Sequence, residues 1–163
     1  MIEHEQNTEA LALALNPPEQ DDIRQVEWVN SLLFELDTQF NSEQFDFNQL
    51  AAVVAQAPEC MQAPDDMVSH HFCGGVYLRK MTAPAGALIV GRKHAVGMFN
   101  IVLAGRIRVY SQGGITDVCA PAIIPGIEGD QKLGYVLEDV VWVNVTPSNT
   151  ENVDEIEQRI YCL

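Results

Sequence analysis

The chain has little positive charge. Only 9 of its 163 residues are Lys or Arg, against 23 Asp or Glu, so the formal net charge is −14 at pH 7. A protein this acidic is repelled by phosphate backbones, and we therefore expect no nucleic-acid partner. Seven of the nine basic residues lie between Arg79 and Lys132, which makes the centre less acidic than the flanks. This distribution of charge indicates either a surface that keeps the protein soluble or, alternatively, a central region that faces an anion or an acidic partner.

Long apolar runs are also missing. No window approaches the roughly 18 unbroken apolar residues that a membrane-spanning helix requires, so we expect no membrane partner. The first ten residues are acidic. A secretory leader instead begins with basic residues followed by an apolar stretch, and none is expected here.

Cysteines are few and lie far apart. Cys60, Cys73, Cys119 and Cys162 form no CxxC pair, which argues against a zinc ribbon and favours reduced thiols over a disulfide framework. The sequence also lacks a Gly-x-Ser-x-Gly nucleophile elbow, a phosphate-binding glycine loop and an HExxH zinc helix. The hydrolases and nucleotide-binding enzymes that carry these motifs are therefore not indicated.

The first 67 residues predict helices and no strands. Residues 1–20 are polar and contain Pro17-Pro18, which indicates a flexible arm, and a helical extension is expected over residues 21–67. Apolar side chains recur there at spacings of three and four on one helix face. That face packs on the protein's own core or binds a partner. The second interpretation makes interface residues of Val26, Val29, Leu33 and Leu36.

Residues 68–150 contain short β-rich runs separated by turn residues, which is typical of a sandwich or barrel. Turns are expected at residues 83–86, at residues 112–114 and at Pro125-Gly126. Residues 151–163 predict a short acidic helix from Asn152 to Tyr161. The expected strands are Val76–Met81, Ala87–Val90, Phe99–Ala104, Ile107–Ser111, Thr116–Cys119, Leu133–Leu137 and Val140–Thr146.

Two glycines frame a segment of this region. Five residues separate Gly86 from Arg92-Lys93-His94, and Met98 and Gly105 follow; this spacing resembles that of the first cupin signature. Arg92, His94 and Met98 occupy the positions of the two histidines and the glutamate that bind metal in that signature. A looser second match begins at Pro125-Gly126 and places Lys132 near a further histidine position. The frame agrees with the signature, but only His94 keeps a metal-binding side chain.

Residues 68–160 resemble the cupin-like proteins of tailed bacteriophages. The resemblance rests on residues 70–79 (HHFCGGVYLR), the glycine-framed segment, Ala120-Pro121, residues 137–142 (LEDVVW) and the acidic tail. It implies a mainly β, cupin-type double-stranded β-helix (jelly-roll) barrel with an N-terminal helical extension and a short C-terminal helix. It also implies a homo-oligomer that contacts other phage structural proteins, in the virion or the host cytoplasm.

The replaced ligands argue against a metal at the cupin position. Arg92 is permanently cationic, Met98 offers a soft thioether, and Lys132 would have to lose a proton before it could coordinate. We therefore expect no metal and no other cofactor there. A weaker alternative is a relocated metal site at His70, His71, Cys73 and His94, although packing and hydrogen bonding also explain these side chains.

Three functions follow from this pattern. The preferred one is a non-enzymatic phage protein whose metal-free barrel serves as a structural or assembly module. The second is a cupin enzyme acting on a small anionic substrate, with His94 as acid and base and Arg92 as an anion clamp. The third is a small-anion binding module in which Arg92, His94 and Lys132 form a cationic cluster at the barrel mouth. Arg92 alternatively pairs with a structural carboxylate.

Overall fold

The computed structural model describes residues 65–162, together with six helical residues of the N-terminal region: Asn30, Ser31, Leu33, Phe34, Asp37 and Thr38. The predicted arm and most of the predicted helical extension lie outside the described residues, as do Val26, Val29 and Leu36. Leu33 is half-buried and Phe34 is exposed. No helix within the described residues is both long enough and apolar enough to cross a membrane.

The segment from residue 65 to residue 162 contains a short 3-10 helix, seven strands and one α-helix. After the 3-10 helix at Asp65–Met67, the strands are β1 (Val68–Cys73), β2 (Val76–Ala83), β3 (Leu88–Val90), β4 (Met98–Ser111), β5 (Gly114–Cys119), β6 (Ala122–Gly126) and β7 (Leu133–Pro147), followed by the helix α1 (Val153–Ile160).

The two long strands β4 and β7 form the centre of the fold. They pair with each other in antiparallel fashion, and each changes its second partner along its length. The first half of β4 pairs with β6 and the second half with β5. The first half of β7 pairs with β3 and the second half with β2, which also pairs with β1. The result is two joined sheets, β1-β2-β7-β4-β6 and β3-β7-β4-β5, in a jelly-roll arrangement.

The change of partner coincides with a kink in β4. The register against β7 shifts between Val102 and Ile107. Within this stretch Gly105 has a φ of 78°, and a Cβ atom there would lie 2.0 Å from the carbonyl oxygen of Asp139. The closing glycine of the sequence signature is therefore required by the backbone crossing, because no side chain fits.

The hydrophobic core fills the space between the two sheets. Alternate residues of both sheets point inward and are buried, as expected for strands with one covered face. A second buried cluster holds α1 against β2 and the start of β4. The main core includes Met81, Ile89, Val102, Val136 and Trp142, and the second cluster consists of Tyr77, Met98, Ile156, Ile160 and Tyr161.

The prediction of a mainly β, antiparallel barrel with a short C-terminal helix is confirmed. The predicted strand boundaries need correction. The runs 99–104 and 107–111 are one strand, and so are 133–137 and 140–146, because the bulged register bends the chain without ending the ladder. Pro125-Gly126 lies within β6, and the reversal follows at residues 127–129, where Gly129 has a φ of 82°. Strands β1 and β6 were not among the predicted strands.

Candidate functional site

A cavity of about 90 Å³, partly open to solvent, lies between the two sheets. Its apolar wall comes from core side chains such as Met81 and Trp142. The structure brings the three predicted ligand-binding residues Arg92, His94 and Lys132 into the lining of this cavity. The other polar lining residues are Arg79, Asn100, Asn144 and Tyr161.

Arg92 is tied to the C-terminal helix. Its Nη1 donates a 3.0 Å hydrogen bond to Oε2 of Glu157 on α1, and both side chains are largely buried. The guanidinium carbon lies 4.4 Å from the centre of the Tyr161 ring, in cation–π geometry. Arg92 thus pairs with a structural carboxylate, as the alternative interpretation expected, and holds the end of the chain on the barrel.

Lys132 also has a carboxylate partner. Its ammonium group donates to Oδ2 of Asp130, and both side chains are mostly buried. Lys132 and Arg92 therefore line the cavity as members of ion pairs. These two side chains therefore do not form a cluster of uncompensated cations.

His94 is buried and neutral. Its backbone N–H donates to the carbonyl of Asp130, and its own carbonyl accepts from the N–H of Gly129, so the loop before β7 fixes its position. Burial, and then the charge of Lys132, lower the pKa of the imidazole to about 4. Its Nδ1 has no hydrogen-bond partner among the described residues.

Arg79 is a site residue that the sequence analysis did not single out. It lies on β2 opposite Asn144 and is only 6% exposed. Its Nε has no hydrogen-bond partner, and the side chain forms no ion pair within residues 65–162. Strand alternation could have found it, because Tyr77 and Met81, two positions away on either side, both face inward.

Two asparagines fix the polar side of the cavity beside Arg79. Asn100 and Asn144 face each other in the register of β4 and β7, and Asn144 Nδ2 donates a 2.7 Å hydrogen bond to Asn100 Oδ1. Asn100 Nδ2 in turn donates to the carbonyl of Ile124 at 3.2 Å. Because both amides are bonded within the barrel, this wall is rigid and polar.

The side chains at the cupin metal position do not fit a metal. His94 is the sole imidazole among the inferred ligand positions, the guanidinium of Arg92 cannot coordinate, and Met98 is buried against α1. The alternative site fares no better, since no metal-binding group of three His, Cys, Asp or Glu side chains occurs among the described residues. His70 Nδ1 instead bonds the Tyr77 hydroxyl at 2.7 Å, and His71 Nε2 bonds Ser69 Oγ at 3.1 Å.

The solved structures that are similar to this chain share little of its sequence. No family model matches the chain, and no curated protein matches its sequence. Similar solved structures include a cupin 2 domain-containing protein from Halorhodospira halophila (7% identity, TM-score 0.46, 60% of this chain and 77% of that one). A cupin domain from Schizosaccharomyces pombe is 17% identical (TM-score 0.43, 54% of this chain and 69% of that one). An RmlC-like cupin family protein with a double-stranded β-helix fold from Methanocaldococcus jannaschii is 10% identical (TM-score 0.43, 50% of this chain and 78% of that one). These structural neighbours are cupin-like proteins, and at such identities the similarity concerns the fold alone.

Proposed function

We propose that this chain is a non-enzymatic protein of a tailed bacteriophage that uses its barrel as a structural or assembly module. In this proposal the protein forms a homo-oligomer and is part of the virion. The observation that carries the proposal is an uncharged apolar surface on the outer face of β4 and β6.

This surface follows from the alternation of the first half of β4. Met98 and Asn100 point inward and are buried, whereas Phe99 and Leu103 are 55% and 57% exposed. On the neighbouring strand β6, Ile123 is 68% exposed. In the strand register Phe99 faces Pro125 and Ile101 faces Ile123. We call this surface the β4–β6 patch; it consists of Phe99, Ile101, Leu103, Ile123 and Pro125.

The β4–β6 patch favours a second copy of the same chain as its partner. Strand β6 pairs with β4 alone within the described sheet, so its other edge offers open backbone groups that an antiparallel copy can bond. Segments 99–103 and 122–126 contain no charged residue, although the chain carries a net charge of −14. Two copies therefore meet little electrostatic repulsion at this patch, and contact removes its exposed apolar side chains from water.

The phage context rests on the resemblance of residues 68–160. The replacement of the cupin metal ligands by Arg92, Met98 and Lys132 supports a role without metal chemistry. Mass spectrometry of purified virions tests the location directly. Peptides of this chain in stoichiometric amounts are expected, and their absence from intact particles would contradict a virion role.

Light scattering coupled to size-exclusion chromatography tests the assembly role. The wild-type chain is expected to elute as a homo-oligomer, and the double substitution Leu103→Asp, Ile123→Asp to elute as a monomer. Thr116→Asp, on an exposed position of β5 outside the patch, serves as the matched control and should keep the wild-type mass. A monomeric wild type, or an unchanged mass in the double variant, would refute the proposal.

A further inference from the structure

We propose that the cavity between the two sheets binds a small monocarboxylate, with Arg79 as its anchor. This site does not depend on the assembly role proposed above, since the β4–β6 patch lies on the outside of the barrel and the cavity on the inside.

The main evidence is the coincidence of two unpartnered buried groups. Within residues 65–162, the buried side-chain nitrogens without a hydrogen-bond partner are Arg79 Nε and His94 Nδ1. Both residues line the same cavity. A buried donor without a partner costs free energy, and a buried unpaired charge costs more. A ligand that accepts hydrogen bonds from this wall removes the cost.

The charges around the cavity call for a single negative charge. The guanidinium of Arg92 is paired with Glu157, and the ammonium of Lys132 with Asp130. Glu157 and Arg79 both act electrostatically on Tyr77 and Tyr161, so Glu157 is a candidate counter-charge for Arg79. The carboxylate of Glu157 is, however, bonded to Arg92. With these two pairs neutralised and His94 neutral, Arg79 remains as the uncompensated charge of the described lining.

A carboxylate suits this anchor better than a phosphate. The planar guanidinium presents parallel N–H donors that match the two oxygens of a carboxylate. A phosphate dianion would leave a second negative charge without a counter-charge in a chain whose net charge is already −14. The neutral imidazole of His94 supplies a further polar contact without adding charge.

The rest of the cavity selects a short apolar body. Next to Arg79, the lining includes the core side chains of Met81, Ile89, Val109 and Trp142. Its volume of about 90 Å³ lies well below that of pockets for larger organic ligands. The fitting ligands are therefore acetate, propionate and butyrate, and each methylene buried against the apolar wall should tighten binding.

Isothermal titration calorimetry with the full chain at constant ionic strength tests the site. Sodium acetate, propionate and butyrate are titrated separately, with inorganic phosphate as the probe for a different anion. Saturable binding of one carboxylate per chain is expected, tighter for propionate or butyrate than for acetate, and none for phosphate. A wild type that binds none of the three carboxylates, or binds phosphate as tightly, would overturn the proposal.

Arg79→Met is the decisive variant, because it keeps the side-chain volume and removes the charge. Carboxylate affinity should fall by about tenfold or more, whereas Arg106→Gln, a half-exposed arginine paired with Glu138, should leave it unchanged. The ligand-free Arg79→Met variant should unfold at a temperature equal to or above that of the wild type, because an uncompensated charge is gone. A purely structural arginine would give the opposite shift. If this variant is not folded by circular dichroism, Arg79→Gln, which also removes the charge, replaces it, and wild-type affinity in either folded variant would refute the anchor.

Discussion

The hydroxyl of Tyr110 donates a 2.9 Å hydrogen bond to Oδ1 of Asp37 and so joins the N-terminal helical region to the barrel. Tyr110 is fully buried on β4 and points away from the core side chain of Val109. Oδ2 of Asp37 lies 3.7 Å from Nη1 of Arg108 on the same strand. Burial, and then the bond to Asp37, raise the pKa of Tyr110, which keeps the hydroxyl protonated as a donor. At this point the helical region packs on the barrel of its own chain.

Tyr110→Phe should weaken this attachment. The substitution removes the hydrogen bond from the Tyr110 hydroxyl to Asp37 Oδ1, and we expect the free energy of unfolding to fall by about 1 kcal/mol. Urea denaturation followed by circular dichroism measures the change. Tyr135→Phe is the matched control, because the half-buried Tyr135 hydroxyl has no hydrogen-bond partner among the described residues. Equal losses in the two variants would show that the bond to Asp37 contributes nothing specific.

Gly105→Ala should be strongly destabilising. A methyl group there would lie 2.0 Å from the Asp139 carbonyl oxygen, on a backbone whose φ is 78°. A loss of more than about 2 kcal/mol is expected, enough to compromise folding. Gly113→Ala, at the β4–β5 turn, places its methyl group no closer than 3.6 Å to Ser111 Oγ. That control should stay within about 0.5 kcal/mol of the wild type, and a similarly tolerant Gly105→Ala would contradict the close crossing.

The stability of the protein should fall as the pH is lowered, because His94 is buried in its neutral form. Burial, and then Lys132, lower the pKa of this imidazole to about 4 from the ordinary 6.5, whereas Asp130 acts in the opposite direction. Between these two values the unfolded chain binds a proton that the folded chain does not. The contribution of neutral His94 is therefore complete above pH 6.5 and is lost as the pH falls towards 4. The loss is on the order of 3 kcal/mol.

The measurement is the free energy of unfolding of the wild type and of His94→Gln over this pH range. The difference between the two should shift in favour of the variant as the pH falls. His71→Gln, at an exposed position of β1, should follow the wild-type profile more closely. Parallel profiles for the wild type and His94→Gln would contradict the lowered pKa.

Ile160→Ala should detach the C-terminal helix. Ile160 and Ile156 are fully buried on the face of α1 that packs against Tyr77 and Met98. Truncation to alanine is expected to cost about 2–5 kcal/mol, because the packed site collapses only partly. Gln158→Ala, on the exposed face of the same helix, is the control and should change stability by less than about 0.5 kcal/mol. Chemical denaturation of both variants measures the two changes in the free energy of unfolding.

Local signals in the sequence were sufficient for the C-terminal helix. Asn152 is the N-cap, and its side chain accepts hydrogen bonds from the N–H groups of Asp154 and Glu155. Capping and the one-sided apolar spacing depend only on neighbouring residues, so the prediction from Asn152 to Tyr161 differs from the observed helix by one residue at each end. The tight turn at residues 112–114 was predictable for the same reason.

The long strands were predicted in pieces because their continuity depends on distant residues. Gly105 and the acidic pair Glu138-Asp139 have the composition of turns, so the sequence predicts separate strands on either side of each. In the structure these residues meet at the crossing of β4 and β7, where the register shifts and the ladder continues. Pairing between residues 23 to 46 positions apart is not encoded in any local window.

The three predicted ligand-binding residues lie close together in the structure, but the ion-pair partners of Arg92 and Lys132 were not predicted. The cupin spacing placed Arg92, His94 and Lys132 together, and all three line the cavity. The neutralising partner of Arg92, Glu157, lies 65 residues away and was not visible in the motif. Arg79 belongs to none of the motifs, and only the alternation along β2 indicates that its side chain faces inward.

Each of the long strands β4 and β7 has one half in one wall of the barrel and the other half in the opposite wall. Neither wall can melt on its own, since the loss of one withdraws the two middle strands of the other. Amide protons in both sheets should therefore exchange with deuterated solvent through the same global opening. A molecule held between the walls would slow that exchange across the entire domain.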